Sequence, residues 1–161
     1  MKTLIIIRHA KAEQGYGVDS KRRLEERGHR DAALMAQRLS DKGYKIDKIF
    51  CSPSERTRET AAYFKQVHHV ENKDIKYFDE LYLGDTLQIT EAINWLQENI
   101  DTLAVIGHNP GVTNFTNDVT GSDIESLPTS GVAIIKVDCD DWQQFNEAQK
   151  TLVEIDSPKG S

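Results

Sequence analysis

The sequence predicts an α/β domain, a three-layer α/β/α sandwich with a mostly parallel central sheet. Two short apolar runs, Thr3 to Ile7 and Leu103 to Gly107, lack the alternation of a half-exposed strand and read as strands covered on both faces. Segments with apolar residues at helical spacing lie between the strands, and strands alternating with helices favour a parallel sheet with helices on both faces. Helix-start signals also follow two of the strand ends directly, as expected of short βα connections.

Thr3 to Ile7 opens the chain as a buried-type strand. Leu24 to Lys42 follows, with Ala32, Met35, Ala36 and Leu39 on one side and charges on the other, which makes an amphipathic helix. Ile46 to Cys51 is short and β-rich. After it, Ser52, Pro53 and Glu55 read as N-cap, N1 proline and capping-box acid of a helix running to about Val67. Ile75 to Phe78 reads as a short strand. Thr86 then caps a helix that carries Ile89, Ala92, Ile93, Leu96 and Ile100 along one side. Beyond the strand Leu103 to Gly107, Asn109 and Pro110 read as N-cap and N1 of a helix with Val112, Phe115 and Val119 inward. Val132 to Val137 and Thr151 to Ile155 are closing strands, antiparallel to each other around a turn at Asp138 to Asp141.

Composition narrows the function. The 161 residues suit one core, so residues 1–156 are read as a single domain and 157–161 as a loose tail. Hydrophobic residues make up 38% and charged residues 29%, which is ordinary for a globular protein. No apolar run is long enough for a membrane span, and none has the flanks of a signal peptide, so a cytoplasmic protein without a membrane partner is expected. Cys51 and Cys139 have no metal-type spacing and read as reduced thiols. A net charge of -6 disfavours nucleic acid as a partner, because a polyanion is not steered toward a negative surface. Any anion site must therefore be a local concentration of cations.

The strand ends supply one. In open α/β sheets the ligand site lies beyond the carboxyl ends of the strands. Arg8 and His9 follow the first strand, Arg56 lies in the first turn after the second, and His108 follows the fourth. Helix N-termini add N–H groups and a positive dipole end to the same edge. The ligand this favours is a phosphoryl dianion. His68-His69 reads as a solvated helix end, and His29 faces the charged side of its helix and is given no role.

These residues carry a resemblance. Arg8-His9-Ala10, followed by Lys11-Ala12, resembles the Arg-His-Gly signature of the histidine phosphatase, or phosphoglycerate mutase-like, superfamily, and within it the small SixA-type phosphohistidine phosphatases. Arg22 to Gly28 resembles the arginine-x-leucine-x-x-x-glycine segment of that superfamily, Ser52 to Ala61 its serine-proline-x-x-arginine segment, and Gly107-His108-Asn109-Pro110 its second histidine motif. The four motifs stand in order, and the resemblance spans nearly the whole chain, including the closing Ser157-Pro158-Lys159.

The resemblance implies a phosphoglycerate mutase-like fold and a hydrolase that works through a phosphohistidine on His9. Imidazole suits that task when one ring nitrogen is bare and the other is held as a donor. Arg8 and Arg56 can grip phosphoryl oxygens and His108 can donate to another as charge develops. By resemblance Arg22 joins the pocket, beside Arg23, and Glu80 stands where larger relatives carry an acidic proton donor. Phosphoryl transfer of this kind needs positioning and charge stabilisation, so no metal or cofactor is expected. Only about twenty residues join the second helix to the Thr86 helix, which leaves no room for a long cap over the site and predicts an open pocket. The expected partner is a phosphorylated signalling protein, a phosphotransfer domain carrying phosphohistidine; the alternatives are a small phosphomonoester and a non-catalytic phosphate-binding module, since binding needs the cations but not the nucleophile. A thiolate phosphatase is disfavoured, because its cysteine-to-arginine loop is one residue longer than the four residues between Cys51 and Arg56. Lys11 is either a contact for a phosphorylated partner or a solvated loop lysine.

Overall fold

The computed structural model describes residues 1–15 and 17–159. A six-stranded sheet runs in the order β3-β2-β4-β1-β5-β6. Its strands are β1 (Lys2–Arg8), β2 (Lys48–Cys51), β3 (Ile75–Tyr77), β4 (Thr102–Gly107), β5 (Val132–Val137) and β6 (Lys150–Asp156). The first four are parallel; β5 runs antiparallel to β1, and β6 antiparallel to β5. Helices α1 (Glu26–Asp41), α2 (Glu55–His68), α3 (Thr86–Trp95) and α4 (Gly111–Thr120) cover the two faces.

The central strand shows why an unbroken apolar run is needed. Successive strand side chains point to opposite faces. Leu4 and Ile6 enter the core formed with Ile89 and Ile93 of α3 and Val112 and Phe115 of α4. Ile5 and Ile7 enter the opposite core with Met35 and Leu39 of α1 and Ala61 and Phe64 of α2. Every residue from Leu4 to Ile7 is thus fully buried, and alternate residues are packed by opposite layers. This is the predicted three-layer sandwich.

Several boundaries differ from those expected. Ser54, not Ser52, caps α2, accepting from the Thr57 amide. The reason is that Ser52 still belongs to the sheet edge, its amide donating to the Ile106 carbonyl at 3.1 Å. Asp85 rather than Thr86 caps α3, in a reciprocal box with Gln88. That helix stops at Trp95, so Leu96 and Ile100 join the core from the chain beyond it. Pro110 stands at the cap position of α4, one residue later than expected. Leu24 lies outside α1, in an isolated bridge between Ala12 and Leu24. The tail begins firmly: Arg38 donates to both the Asp156 carboxylate and the Ser157 carbonyl. Residues 160 and 161 of the expected loose tail lie outside the described residues.

Candidate active site

Strand β1 delivers Arg8 and His9 at the carboxyl edge of the sheet. The His9 amide donates to the Gly107 carbonyl at 3.1 Å, and its carbonyl accepts from Ser130, so the backbone is held from both sides. Thr60 of α2 adds a third tie, accepting from the Ala10 amide at 2.9 Å while donating to the Arg56 carbonyl at 2.8 Å. One threonine therefore couples the helix that carries Arg56 to the strand that carries His9.

The His9 ring is oriented by its neighbour. Its Nδ1 lies 2.8 Å from the Ala10 carbonyl, which can only accept. Nδ1 thus carries the hydrogen in the neutral ring, and Nε2 keeps a lone pair. Burial lowers the pKa of His9 to about 4, with the hydrogen bond to Ala10 opposing the shift and the Arg56, Arg8 and Arg22 charges adding to it. The ring is unprotonated near neutrality.

His108 stands beside it, with ring centroids 5.3 Å apart. Its Nδ1 lies 3.3 Å from Nη2 of Arg56, which can only donate, so Nε2 carries the hydrogen and donates to Ser52 Oγ at 2.8 Å. Burial, then His9 and Arg56, lower its pKa to about 3.

Arg56 is 3% exposed. Of its five N–H hydrogens, three are engaged, by the Asp19 carbonyl at 2.9 Å, the Asp19 carboxylate at 3.0 Å and His108. Its buried Nε has no partner among the described residues, and neither has the buried Nε of Arg8. Arg8 is otherwise anchored by Nη1 to the Leu127 carbonyl at 2.9 Å. Two arginine donors withheld from both water and protein are costly unless an anion receives them. Arg22 completes the group, tied by Nε to the Glu13 carbonyl and by Nη1 to Asp19. Arg8, His9, Asp19, Arg22, Arg56, Leu83, His108 and Asn109 line an open cavity of roughly 320 Å³.

The sequence profile of the histidine phosphatase superfamily (branch 1) matches residues 4–115. The chain belongs to that superfamily. Within its fold, the chain is similar to the protein histidine phosphatase SixA solved with tungstate, at a TM-score of 0.84 and 22% identity, over 98% of this chain and 97% of that one. It is also similar to a putative phosphohistidine phosphatase SixA from Nakamurella multipartitia, at a TM-score of 0.82 and 24% identity, over 98% and 96% of the two chains. In sequence, an uncharacterized protein of Mycobacterium tuberculosis (strain ATCC 25618 / H37Rv) is 29% identical over 164 residues, covering 95% of this chain and all of that protein.

The histidine phosphatase fold brings five of the six expected site residues, Arg8, His9, Arg22, Arg56 and His108, to one cavity. Glu80 is exposed on a 3-10 turn spanning Asp79–Leu81, two residues before Tyr82, and is not among the residues lining the cavity. Of the Arg22-Arg23 pair, Arg23 turns away to pair with Glu59 at 3.2 Å. Cys51 is buried in β2, and burial pushes its thiol up to about 12, which removes it as a thiolate nucleophile. Lys11 lies outside the cavity lining; its carbonyl accepts from the Glu25 amide at 2.9 Å. His68 is not a solvated helix end: it is 4% exposed, accepting from the Ile46 amide and bonded through Nε2 to the Ala36 carbonyl. His29 is paired with the Tyr63 hydroxyl at 2.8 Å. Among the described residues no cluster of histidine, cysteine and carboxylate side chains could hold a metal, and no helix is long and apolar enough to cross a membrane.

Four contributors escaped sequence reasoning. Asp19 bridges Arg22, Arg56 and the Tyr82 hydroxyl. Ser52 orients His108, and Leu83 and Asn109 line the cavity. The signal for Asn109 was its place beside His108; for Asp19 it was an acid three residues before Arg22 in a polar loop.

Proposed function

We propose that the chain is a phosphatase that uses His9 as its nucleophile and removes phosphate from phosphohistidine on a protein, most simply a phosphotransfer domain. The observation that carries this is the His9 ring: Nδ1 is fixed on the Ala10 carbonyl, and among the described residues Nε2 is left bare beside cations with two unpartnered buried N–H groups. A nucleophile with a fixed tautomer beside a ready-made anion site is what phosphoryl transfer requires.

In the first step Nε2 of His9 forms a bond to phosphorus while the bond from phosphorus to the leaving ring nitrogen breaks, the electron pair staying on that nitrogen. Arg8, Arg56 and Arg22 hold the phosphoryl oxygens. The dianion beside His108 offsets the surrounding positive charge and favours the imidazolium, which then donates through Nδ1 to an oxygen in exchange for its contact with Arg56. In the second step water attacks phosphorus, the bond to Nε2 breaks, and inorganic phosphate leaves with His9 restored. A leaving imidazolium already holds a proton on its other nitrogen and departs as neutral imidazole, so neither step draws a proton from Glu80. An open cavity with half-exposed Arg22 at its side accommodates a phosphorylated side chain presented on a protein surface.

The test is trapping with ³²P-labelled phosphohistidine protein under acid-free quench. The expected result is an acid-labile label on wild type that His9→Ala abolishes together with turnover. Full turnover by His9→Ala, or loss of turnover in Cys51→Ala alone, overturns the mechanism. Phosphate binding with turnover of neither phosphohistidine nor an aryl phosphate makes the chain a binding module.

A further inference from the structure

We propose that Asp19 is a specificity-determining residue that selects cationic, nitrogen-linked leaving groups over anionic, oxygen-linked ones; this deepens the function proposed above and rests on it.

The site is layered by depth. His9, Arg56 and His108 form the floor, at 8%, 3% and 3% exposure, whereas the Asp19 side chain is 46% exposed. Displacement at phosphorus runs in line, so a nucleophile on the floor expels its leaving group toward the mouth. Among the described residues lining the cavity, Asp19 is the one carboxylate, and it stands at that mouth. It is held there firmly. Oδ1 accepts from Arg22 at 3.0 Å, Oδ2 accepts from Arg56 at 3.0 Å and from the Tyr82 hydroxyl, and the Asp19 carbonyl accepts from Arg56 at 2.9 Å. A carboxylate offers about four acceptor positions, and these three donors leave one on Oδ1. That position can receive an N–H.

The carboxylate stays ionised, because Tyr82 and Arg22 hydrogen bonds hold it far below the ordinary range. It cannot supply a proton to a leaving oxygen. Its field acts on the transition state instead. A leaving imidazolium carries partial positive charge there, as it passes from cation to neutral ring; a leaving phenolate or alkoxide carries partial negative charge. Selection between substrates is set by the transition state relative to free enzyme and substrate, so one fixed negative charge raises kcat/KM for the first class and lowers it for the second.

The experiment compares kcat/KM for a histidine-phosphorylated phosphotransfer protein and for 4-nitrophenyl phosphate in wild type, Asp19→Asn and Asp19→Glu. Asp19→Asn keeps the shape and removes the charge. It is expected to lower kcat/KM for phosphohistidine about tenfold while raising that for the aryl phosphate about threefold, shifts of the size one nearby charge exerts at a partly exposed site. Asp19→Glu is expected to restore most of the wild-type preference, which a merely structural role does not predict. Asp19→Asn activities that fall together on both substrates, or a ratio unchanged from wild type, overturn the role of Asp19 and leave the proposed function standing. A wild type that does not hydrolyse phosphohistidine overturns both.

Discussion

Nε2 of His108 donates to Oγ of Ser52 at 2.8 Å, and both side chains are buried. This bond decides which face His108 turns to its neighbours, since with Nε2 committed the ring can meet Arg56, or a phosphoryl oxygen, only through Nδ1. Ser52→Ala frees the ring to rotate and strands a buried donor, at a cost of about 1–3 kcal/mol. The expected outcome is a kcat about tenfold lower with KM changed less than about threefold, because His108 is needed most as charge develops in the transition state. Steady-state kinetics check the split, and an equal loss in both parameters contradicts it.

Cys51 gives a prediction of the opposite kind. Its thiol donates to the Ser52 carbonyl at 3.1 Å and is shielded within β2, with its pKa pushed up to about 12. Iodoacetamide at neutral pH is expected to leave activity intact over hours, and Cys51→Ala to retain wild-type kcat within about twofold while losing stability by about 1 kcal/mol for the lost core atom. Rapid inactivation by the alkylating agent, protected by phosphate, is the contrary result.

Which parts of the site were legible in the sequence follows from how each residue is positioned. Arg8, His9 and His108 sit where a strand ends, and Arg56 where a helix begins, so hydrophobic patterning alone carries them to one edge. Asp19 and Tyr82 lie in segments with no periodicity to read, and their places are set by meetings across the chain: Asp19 meets Arg56 of α2, 37 residues on, and Tyr82, 63 residues on. Ser52 was legible as a residue but not in its role. Its local pattern with Pro53 and Glu55 signals a helix cap, yet sheet pairing to Ile106 claims its backbone and His108 its side chain. His68 fails for the same reason: Ile46 and Ala36, which satisfy its ring, come from other segments. Gly28 closes the Arg22 to Gly28 motif, and the reason for a glycine there appears only in three dimensions.

At Gly28 a Cβ would stand 2.1 Å from the Lys11 carbonyl oxygen. Backbone, not a flexible side chain, blocks the space, so the chain after His9 must move to admit even one methyl group. Gly28→Ala is expected to destabilise the fold by about 1–3 kcal/mol and to shift the segment from Ala10 to Ala12, lowering activity on any phosphate substrate through the Ala10 carbonyl that orients His9. Thermal melts and kinetics at a temperature where the variant is folded separate the two effects. Wild-type melting and activity together refute the close packing.

The two histidines at the floor make stability depend on pH in a direction that can be worked out. Both are held below the ordinary value of 6.5, His9 to about 4 and His108 to about 3, chiefly by burial. As pH falls from 6.5 the unfolded chain takes up protons before the folded one does, so the folded state loses ground. Their contribution is therefore whole above pH 6.5 and declines as pH falls toward 4. Between pH 7.5 and 4.5 the unfolding free energy is expected to drop on the order of 4–5 kcal/mol from these two groups. Below that window the lowered carboxyl of Asp156, held by Lys42 and Arg38 against its burial, extends the loss. Urea titrations across the range check the slope, and His9→Gln is expected to remove about half of it. A flat profile from 7.5 to 4.5 contradicts the buried, neutral state of both rings, and with it the bare Nε2 on which nucleophilic attack by His9 depends.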